Sequence, residues 1–459
     1  MKYVVYGLGI SGISAAKSLN KAGFEVICLD DDEKSVIENK KKYPELNFAK
    51  FEEINFDAKT VISFSPGIPL YFPKRHKILE IIAKTNANLA CDIEVFYRLN
   101  FSKNNFIAIT GTNGKSTTTA LCGFIFEKLK IPAAIGGNIG MPCFELPQKQ
   151  ENFTYIFETS SYQLDLLSNA HFAISALLNI TPDHLDRHGD MQGYIAAKKK
   201  IFNNQNEDDF ALIGVDCLNS KNLFLQLKND ENFKAKLIPI SHKEVLNYGI
   251  SLIDGKLIIN LEEKLNFNLK SQFLIGSHNE QNMVFAFAVS YFYGKKHKLN
   301  FDSNQIIAAI KEFKGLNHRM QILGEVDGVK FINDSKATNA DSSENALKSF
   351  ENIFWIVGGK AKDNGITSLQ PFFNKIVKAY LIGQASDEFA EFFEKHQLNY
   401  EKCGNLENAF KKAVIDTKNS SLSKKNILLS PACASFDQWK NFEERGNYFC
   451  KLFNGLSKL

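Results

Sequence analysis

Phe106-Ile107-Ala108-Ile109-Thr110-Gly111-Thr112-Asn113-Gly114-Lys115-Ser116-Thr117 joins a short apolar run to a glycine-bearing turn, and a helical pattern from Thr117 to Lys130 follows it. A buried strand, a tight turn and a helix in that order begin an α/β unit with a parallel sheet. The turn also carries chemistry. Backbone N–H groups of such a loop cradle phosphates, Lys115 reaches the β/γ oxygens, and the Ser116 hydroxyl faces a magnesium ion. The strict G-x-x-x-x-G-K-[ST] pattern would put Gly at position 109, where Ile109 stands, so the loop is a variant one. Gly111, Thr112, Asn113, Gly114, Lys115, Ser116 and Thr117 are its candidate phosphate-binding residues.

The same alternation extends in both directions. Lys2 to Tyr6 reads as a strand, Ile13 to Ala22 as a helix, Glu25 to Leu29 as a strand, and Val61 to Phe64 as a further strand ending at Ser65-Pro66-Gly67. A second unit begins near Asp92 and includes the apolar runs Tyr155 to Phe157 and Ala176 to Asn179. Residues 203–270 are Asn- and Lys-rich with weak periodicity, which predicts small antiparallel strands or loops. Asn304 to Phe313 has helical spacing, and Gly315-Leu316-Asn317-His318 reads as a linker. Beyond it, Lys330 to Ile332, Ile353 to Val357, Ala379 to Ile382 and Ile427 to Leu429 are strands of a third unit. The expectation is an α/β chain of three domains: a Rossmann-like parallel sheet over 1–92, a mononucleotide-binding α/β domain over 93–314, and a Rossmann-like α/β domain over 315–459.

Bulk properties agree with that division. A chain of 459 residues is too long for one ordinary core, and length alone argues for about three domains. Its net charge of +4 is too small to argue for nucleic acid as a partner. The eight cysteines form no C-x-x-C pair, which predicts free thiols in a reducing cytoplasm. Met1 leads straight into a strand-like segment with no basic stretch before an apolar one, so no secretory leader is expected. No apolar run is long enough to span a bilayer, so no membrane insertion is expected.

Three further segments carry candidate chemistry. Gly7-Leu8-Gly9-Ile10-Ser11-Gly12 is a G-x-G-x-x-G between a strand and a helix, with Asp30 at the end of the next strand. A helix N-terminus there can take a diphosphate, and Asp30 can hold a ribose hydroxyl. The pattern alone leaves open a nicotinamide cofactor, another nucleotide, or a glycine turn that only packs helix on strand. Glu158 opens Glu158-Thr159-Ser160-Ser161-Tyr162-Gln163 at a strand end, where α/β proteins place functional acids. Asn179-Ile180-Thr181-Pro182-Asp183-His184-Leu185-Asp186-Arg187-His188 follows another strand. His184 and His188 have i, i+4 spacing, but no Glu follows His184, so this is no zinc-protease helix.

Together these segments resemble the Mur ligases, the ATP-dependent amide-forming enzymes of peptidoglycan synthesis, over nearly the whole chain. The resemblance rests on Gly111 to Thr117, Gly136 to Gly140, Glu158 to Gln163, Asn179 to Arg187 and Tyr194-Ile195-Ala196-Ala197-Lys198. In the third unit it rests on Gly315 to Arg319, Asn333-Asp334-Ser335-Lys336-Ala337-Thr338-Asn339, and Leu429 to Trp439 extended through Phe442 to Arg445-Gly446. The last two segments resemble the D-glutamate-adding members. That resemblance implies a cytoplasmic, monomeric enzyme whose substrates are ATP, UDP-N-acetylmuramoyl-L-alanine and D-glutamate, with two Mg2+ ions.

It also implies roles by position. Lys115, Glu158, His184 and Lys198 would be catalytic, with Ser116, Glu158, His184 and Lys198 at the metal ions. Lys198 would be carbamylated, which turns a cation into an anionic ligand. By charge alone, Lys198-Lys199-Lys200 reads as a solvated helix face. Asn279, Asn282, Arg319, Asp334 and Lys336 would join the loop in binding ATP. Gly9, Ile10, Ser11, Gly12, Asp30, Asp31, Asn138 and Gln163 would hold the UDP-substrate, so the first glycine turn takes a diphosphate. Thr338, Lys362, Ser435, Phe436 and Phe442 would hold D-glutamate.

Three places depart from the pattern: Asp30-Asp31-Asp32 where relatives can carry Thr-Arg, Phe436 where Leu is common, and Lys360-Ala361-Lys362 in place of Gly-Asp-Gly-Lys. The competing readings are another amide ligase of similar build, such as a folylpolyglutamate synthetase or a different Mur enzyme, a Rossmann oxidoreductase, and a non-catalytic nucleotide-binding module. The first should lack the 333–339 and 430–445 segments, the second needs no GTNGKST loop, and the third should not turn over ATP.

Overall fold

A computed structural model of the chain describes residues 1–148, 151–361 and 365–456, with the Lys103 side chain excepted. The first sheet holds β1 (Lys2–Tyr6), β2 (Glu25–Leu29), β3 (Asn47–Phe48), β4 (Thr60–Phe64) and β5 (Asn88–Ala90). Its order is β3-β2-β1-β4-β5, and every adjacent pair is parallel. Strand order therefore reverses at β1, and the crevice beyond the C-terminal strand ends at such a reversal is where open α/β sheets bind ligands.

The second sheet holds β6 (Asn105–Thr110), β7 (Ala133–Gly137), β8 (Thr154–Glu158), β9 (Ile174–Leu177), β10 (Phe210–Gly214), β11 (Lys236–Ser241), β12 (Gly249–Ile253), β13 (Lys256–Asn260) and β14 (Lys264–Asn268). The order is β14-β13-β12-β11-β10-β9-β6-β8-β7. The β7-to-β12 portion is parallel and β12-β13-β14 is an antiparallel ribbon. The 203–270 region thus contains the expected antiparallel strands. It also contains two parallel strands and a helix at Leu218–Lys228 that the sequence reading did not resolve. That helix buries only Ser220, Leu223 and Leu227, too few apolar positions for a clear 3.6 period.

The third sheet holds β15 (Gln321–Val326), β16 (Val329–Asn333), β17 (Ile353–Gly358), β18 (Ile376–Ile382), β19 (Tyr400–Gly404) and β20 (Lys425–Leu429), ordered β15-β16-β20-β17-β18-β19. Only β15 runs antiparallel to its neighbour. Ile353, Trp355 and Val357 enter one core, while Phe354 and Ile356 enter another. Successive side chains of a strand point to opposite faces, so β17, covered on both, reads as an unbroken apolar run.

The fold class is the α/β class the sequence predicts. The chain forms two compact units, one of residues 1–270 and 280–311, the other of 271–279 and 312–459. The first two sheets both belong to the first unit and share one core cluster, from Tyr3 through Phe96 and Phe157 to Leu227. No helix among the described residues is long and apolar enough to cross a membrane.

Candidate active site

A cavity of about 630 Å³ opens in the first unit. Gly9, Ile10, Ser11 and Gly12 line it, together with Lys115, Asn138, Gln163, His184 and Lys198. The structure therefore brings the two glycine turns to one space. A Cβ on Gly12 would lie 2.0 Å from Gly7 O, so the turn closes only with glycine there. The helix Ile10–Lys21 starts at Gly9 with no side-chain cap, which leaves its first N–H groups available to an anion. Asp30 accepts from Leu8 N at 2.7 Å and Asp32 N at 3.0 Å, so its carboxylate closes this turn. Asp31 accepts from Tyr6 Oη at 2.8 Å and pairs with Lys77 at 3.2 Å. Burial opposes its ionisation, but the hydrogen bonds from Tyr6, Lys77 and His76 win and hold its carboxyl below the usual range. Neither acid is among the cavity's lining residues.

The second turn is held by a residue whose role the sequence reading left unassigned. Asn179 Oδ1 accepts from Thr112 N at 3.1 Å and Asn113 N at 2.9 Å, and Asn179 Nδ2 donates to Asn113 O at 3.1 Å. Gln281 Oε1 in turn accepts from Asn179 Nδ2 at 2.6 Å. The signal was present, because Asn179 heads a segment already singled out, but nothing in its residue type distinguishes a cradle from a turn former. Gly114 has φ +86°, and a Cβ there would meet Asn282 Oδ1 at 2.4 Å, so Asn282 packs directly on the loop. Lys115 Nζ donates to Gly111 O at 2.9 Å and Thr112 O at 2.8 Å. Ser116 is buried in the first turn of the helix Lys115–Lys128.

Two groups beside the loop are buried without full compensation. Glu158, at the end of β8, is 2% exposed. Its Oε1 accepts from Asn138 Nδ2 at 2.9 Å, while Oε2 has no hydrogen-bond partner among the described residues. Lys198 is 1% exposed; its ammonium donates to Gly111 O at 2.9 Å and lies 4.6 Å from the Tyr194 ring centroid. Burial pushes its pKa well below the lysine range, and the nearby Lys115 charge pushes the same way. His184 is more exposed, in the left-handed region at φ 54°, with Asp183 3.3 Å from Nε2.

Gln163 Oε1 accepts from Ser160 N at 3.0 Å, and its Nε2 approaches the buried Asp92 at 3.4 Å. Arg187 donates to the carbonyls of Pro66, Gly67 and Ile68, which fixes the loop after β4 that also lines the cavity. Asp92, Arg187 and Tyr194 went unassigned in the sequence because each role is a tertiary contact with no local pattern.

Within the second unit, Asp334 is buried, accepting from Met320 N at 3.0 Å and Ser430 Oγ at 2.8 Å. Burial pushes its carboxyl up to about 7. Arg319, Lys336 and Thr338 are half-buried, and Lys336 Nζ lies 5.1 Å from the Phe442 ring centroid. Ser435 is buried and Phe436 is 70% exposed. Asn279 turns its carboxamide onto Ile275 O at 2.8 Å. Lys362, expected at the amino-acid pocket, lies outside the described residues.

Comparison with known proteins adds to this geometry. Residues 109–290 match the Mur ligase middle domain, and residues 318–433 match the Mur ligase glutamate ligase domain. The UDP-N-acetylmuramoylalanine–D-glutamate ligase of Rickettsia felis is 41% identical over 98% of this chain and 96% of its own. The enzyme of the same name from Wolbachia pipientis is 38% identical over the same shares. The crystal structure of UDP-N-acetylmuramate–alanine ligase from Thermotoga maritima shares the fold, with a TM-score of 0.55, 15% identity and 99% of each chain covered.

Proposed function

The chain belongs to the Mur ligase family, and from that premise we propose that it joins D-glutamate to the L-alanyl carboxylate of UDP-N-acetylmuramoyl-L-alanine. The observation that carries this reading is the single cavity reached by both a diphosphate-binding turn and an ATP loop.

A carboxylate and an amine do not condense unaided at neutral pH, because carboxylate oxygen is a poor leaving group. Transfer of the ATP γ-phosphoryl group to the alanyl carboxylate gives an acyl phosphate and ADP. Lys115 and the loop amides stabilise the charge that shifts during that transfer. The α-amine of D-glutamate then attacks the acyl carbon, a proton leaves the nitrogen, and phosphate departs with the C–O electron pair.

The site residues fit magnesium. Glu158 Oε2 is a buried carboxylate oxygen with unused lone pairs, and the Ser116 hydroxyl, His184 and a carbamylated Lys198 complete the donor set. Two ions so held would neutralise phosphate charge during transfer. Lys198 supports carbamylation because a buried amine with a depressed pKa has its nitrogen lone pair free to attack carbon dioxide. Gly9 to Gly12, Asn138 and Gln163 would hold the UDP-substrate. Asn282, with Asn279, Arg319, Asp334 and Lys336, would meet the nucleotide, and Thr338, Lys362, Ser435, Phe436 and Phe442 the amino acid. Asp30 and Asp31 would serve the UDP end indirectly, by shaping the turn. The domain division 1–92, 93–314 and 315–459 would separate UDP, ATP and amino-acid binding in a monomeric cytoplasmic enzyme.

Phosphate release with ATP, Mg2+ and UDP-N-acetylmuramoyl-L-alanine tests the assignment when D-glutamate, L-glutamate, meso-diaminopimelate and L-alanine are compared. The expected result is dependence on D-glutamate alone. Release driven by a different amine would replace the substrate and keep the chemistry, whereas no release with any amine would remove the reading.

A further inference from the structure

Arg445 is buried in the second unit at 1% exposure. Its Nε donates to Ser335 Oγ at 3.0 Å, and its Nη2 donates to Ser335 O at 2.9 Å and Cys433 O at 3.1 Å. No acceptor among the described residues meets Nη1, and no carboxylate among them forms an ion pair with the group. A Cβ on Gly359 would lie 3.3 Å from that nitrogen, so the free edge of the guanidinium is turned toward the Gly358–Gly359 turn after β17. Gly359 itself has φ +137° and a Cβ there would sit 2.4 Å from Ala434 O, so only glycine lets this turn approach so closely.

A buried guanidinium held by neutral oxygens alone is costly, and buried charges are ordinarily paired. Burial pushes the Arg445 pKa down to about 10, against the weaker pull of Cys433 and Asp437. Ser335 Oγ, which accepts from Arg445, also donates to Phe442 O at 2.8 Å. Cys433 O lies two residues before Ser435, and Ser335 lies three before Thr338. One cation thus ties together three segments proposed above to hold the amino acid.

We infer that Arg445 is a specificity-determining positioning residue: it holds the Ser335–Thr338, Cys433–Ser435 and Phe442 segments in place, and its charge, which no carboxylate pairs among the described residues, selects an amino acid bearing a second carboxylate. The inference rests on the proposed ligase reading. Arg445 does not touch the substrate; it acts through Ser335 and Phe442 and through its field.

The test uses the full-length enzyme with Arg445→Met and Arg445→Lys, comparing D-glutamate with D-glutamine as acceptor. For Arg445→Met, the KM for D-glutamate should rise by about ten- to a hundredfold, as loss of a buried positive field and of the bonds that hold these segments implies. The preference for D-glutamate over D-glutamine should fall by a similar factor, while the KM for the UDP-substrate, whose proposed residues lie in the first unit, stays within about threefold. Arg445→Lys keeps the charge without the fork, so it should keep the preference while D-glutamate binds less tightly. An unchanged preference in Arg445→Met, or the D-glutamate and UDP-substrate KM values rising together with a lower melting temperature, overturns the inference. Should Arg445→Met not fold, Arg445→Lys decides alone: retained preference with a raised D-glutamate KM supports it, and an unaltered KM or lost preference overturns it. Wild-type enzyme that shows no D-glutamate-dependent phosphate release would instead remove the ligase reading itself.

Discussion

An ammonium group taken out of water loses far more hydration than one backbone carbonyl returns. Lys198 is so placed, with Gly111 O and the Tyr194 ring about it and no ion pair among the described residues. Its pKa is lower folded than unfolded. Between those two values the unfolded chain binds the extra proton, so stability rises with pH across that window. The penalty is full below the folded pKa and vanishes as pH climbs to the ordinary lysine value. Lys198→Met should therefore melt higher than wild type at neutral pH in buffer free of carbon dioxide, by about 2 °C or more. The gap should close toward high pH, and ligase turnover should fall by at least about a hundredfold. A variant that melts lower than wild type across the whole range would refute this account. The sequence could not show it. Lys198-Lys199-Lys200 reads as a solvated face, and only the helix phase buries Lys198 and Tyr194 while leaving Lys199 exposed. Family resemblance, not charge pattern, singled out the lysine of the three that is fully buried.

At the scale of elements, the strand–turn–helix from Asn105 to Lys128 was legible because an apolar run, glycines and a helical period coincide there. β19 was not, since it is a polar strand at the sheet edge, with Lys402 and Gly404 exposed and the rest half-buried. What holds the turn open was also hidden, because Asn179 reaches it from just past the end of β9, the sheet neighbour of β6. Removing the Asn179 carboxamide strips the acceptor from Asn113 N and the donor from Asn113 O, and leaves Thr112 N only the Asn179 backbone carbonyl at 3.0 Å. Each such bond is worth about 1 kcal/mol net, so Asn179→Ala should raise the KM for ATP by about five- to thirtyfold. Steady-state kinetics with each substrate varied in turn checks this, and the UDP-substrate KM should stay put. An ATP KM equal to wild type would mean that the loop keeps its shape without this side chain.

For the molecule as a whole, the acyl phosphate sets the requirement, since it must meet the amine before water does. The two compact units are joined by three chain crossings, at 270/271, 279/280 and 311/312. Gly315 to His318 reads as a linker in the sequence, yet part of it is fixed within the second unit. His318 N donates to Gln321 Oε1 at 3.0 Å, His318 O accepts from Lys336 N at 3.0 Å, and its ring meets Asn333 Nδ2 at 3.1 Å. Any pivot in this stretch therefore falls at or before Leu316, where Gly315 has φ +85° and a Cβ would meet nothing closer than 3.8 Å. Space permits a side chain there, but the left-handed backbone does not favour one, at a cost of about 1–2 kcal/mol per residue. Gly315→Val should thus leave both nucleotide KM values near wild type while lowering kcat by about tenfold. Small-angle scattering should show the wild type contracting when a non-hydrolysable ATP analogue and the UDP-substrate are both present, and the variant contracting less. Equal contraction with normal kcat would place the pivot at the other crossings, 270/271 and 279/280.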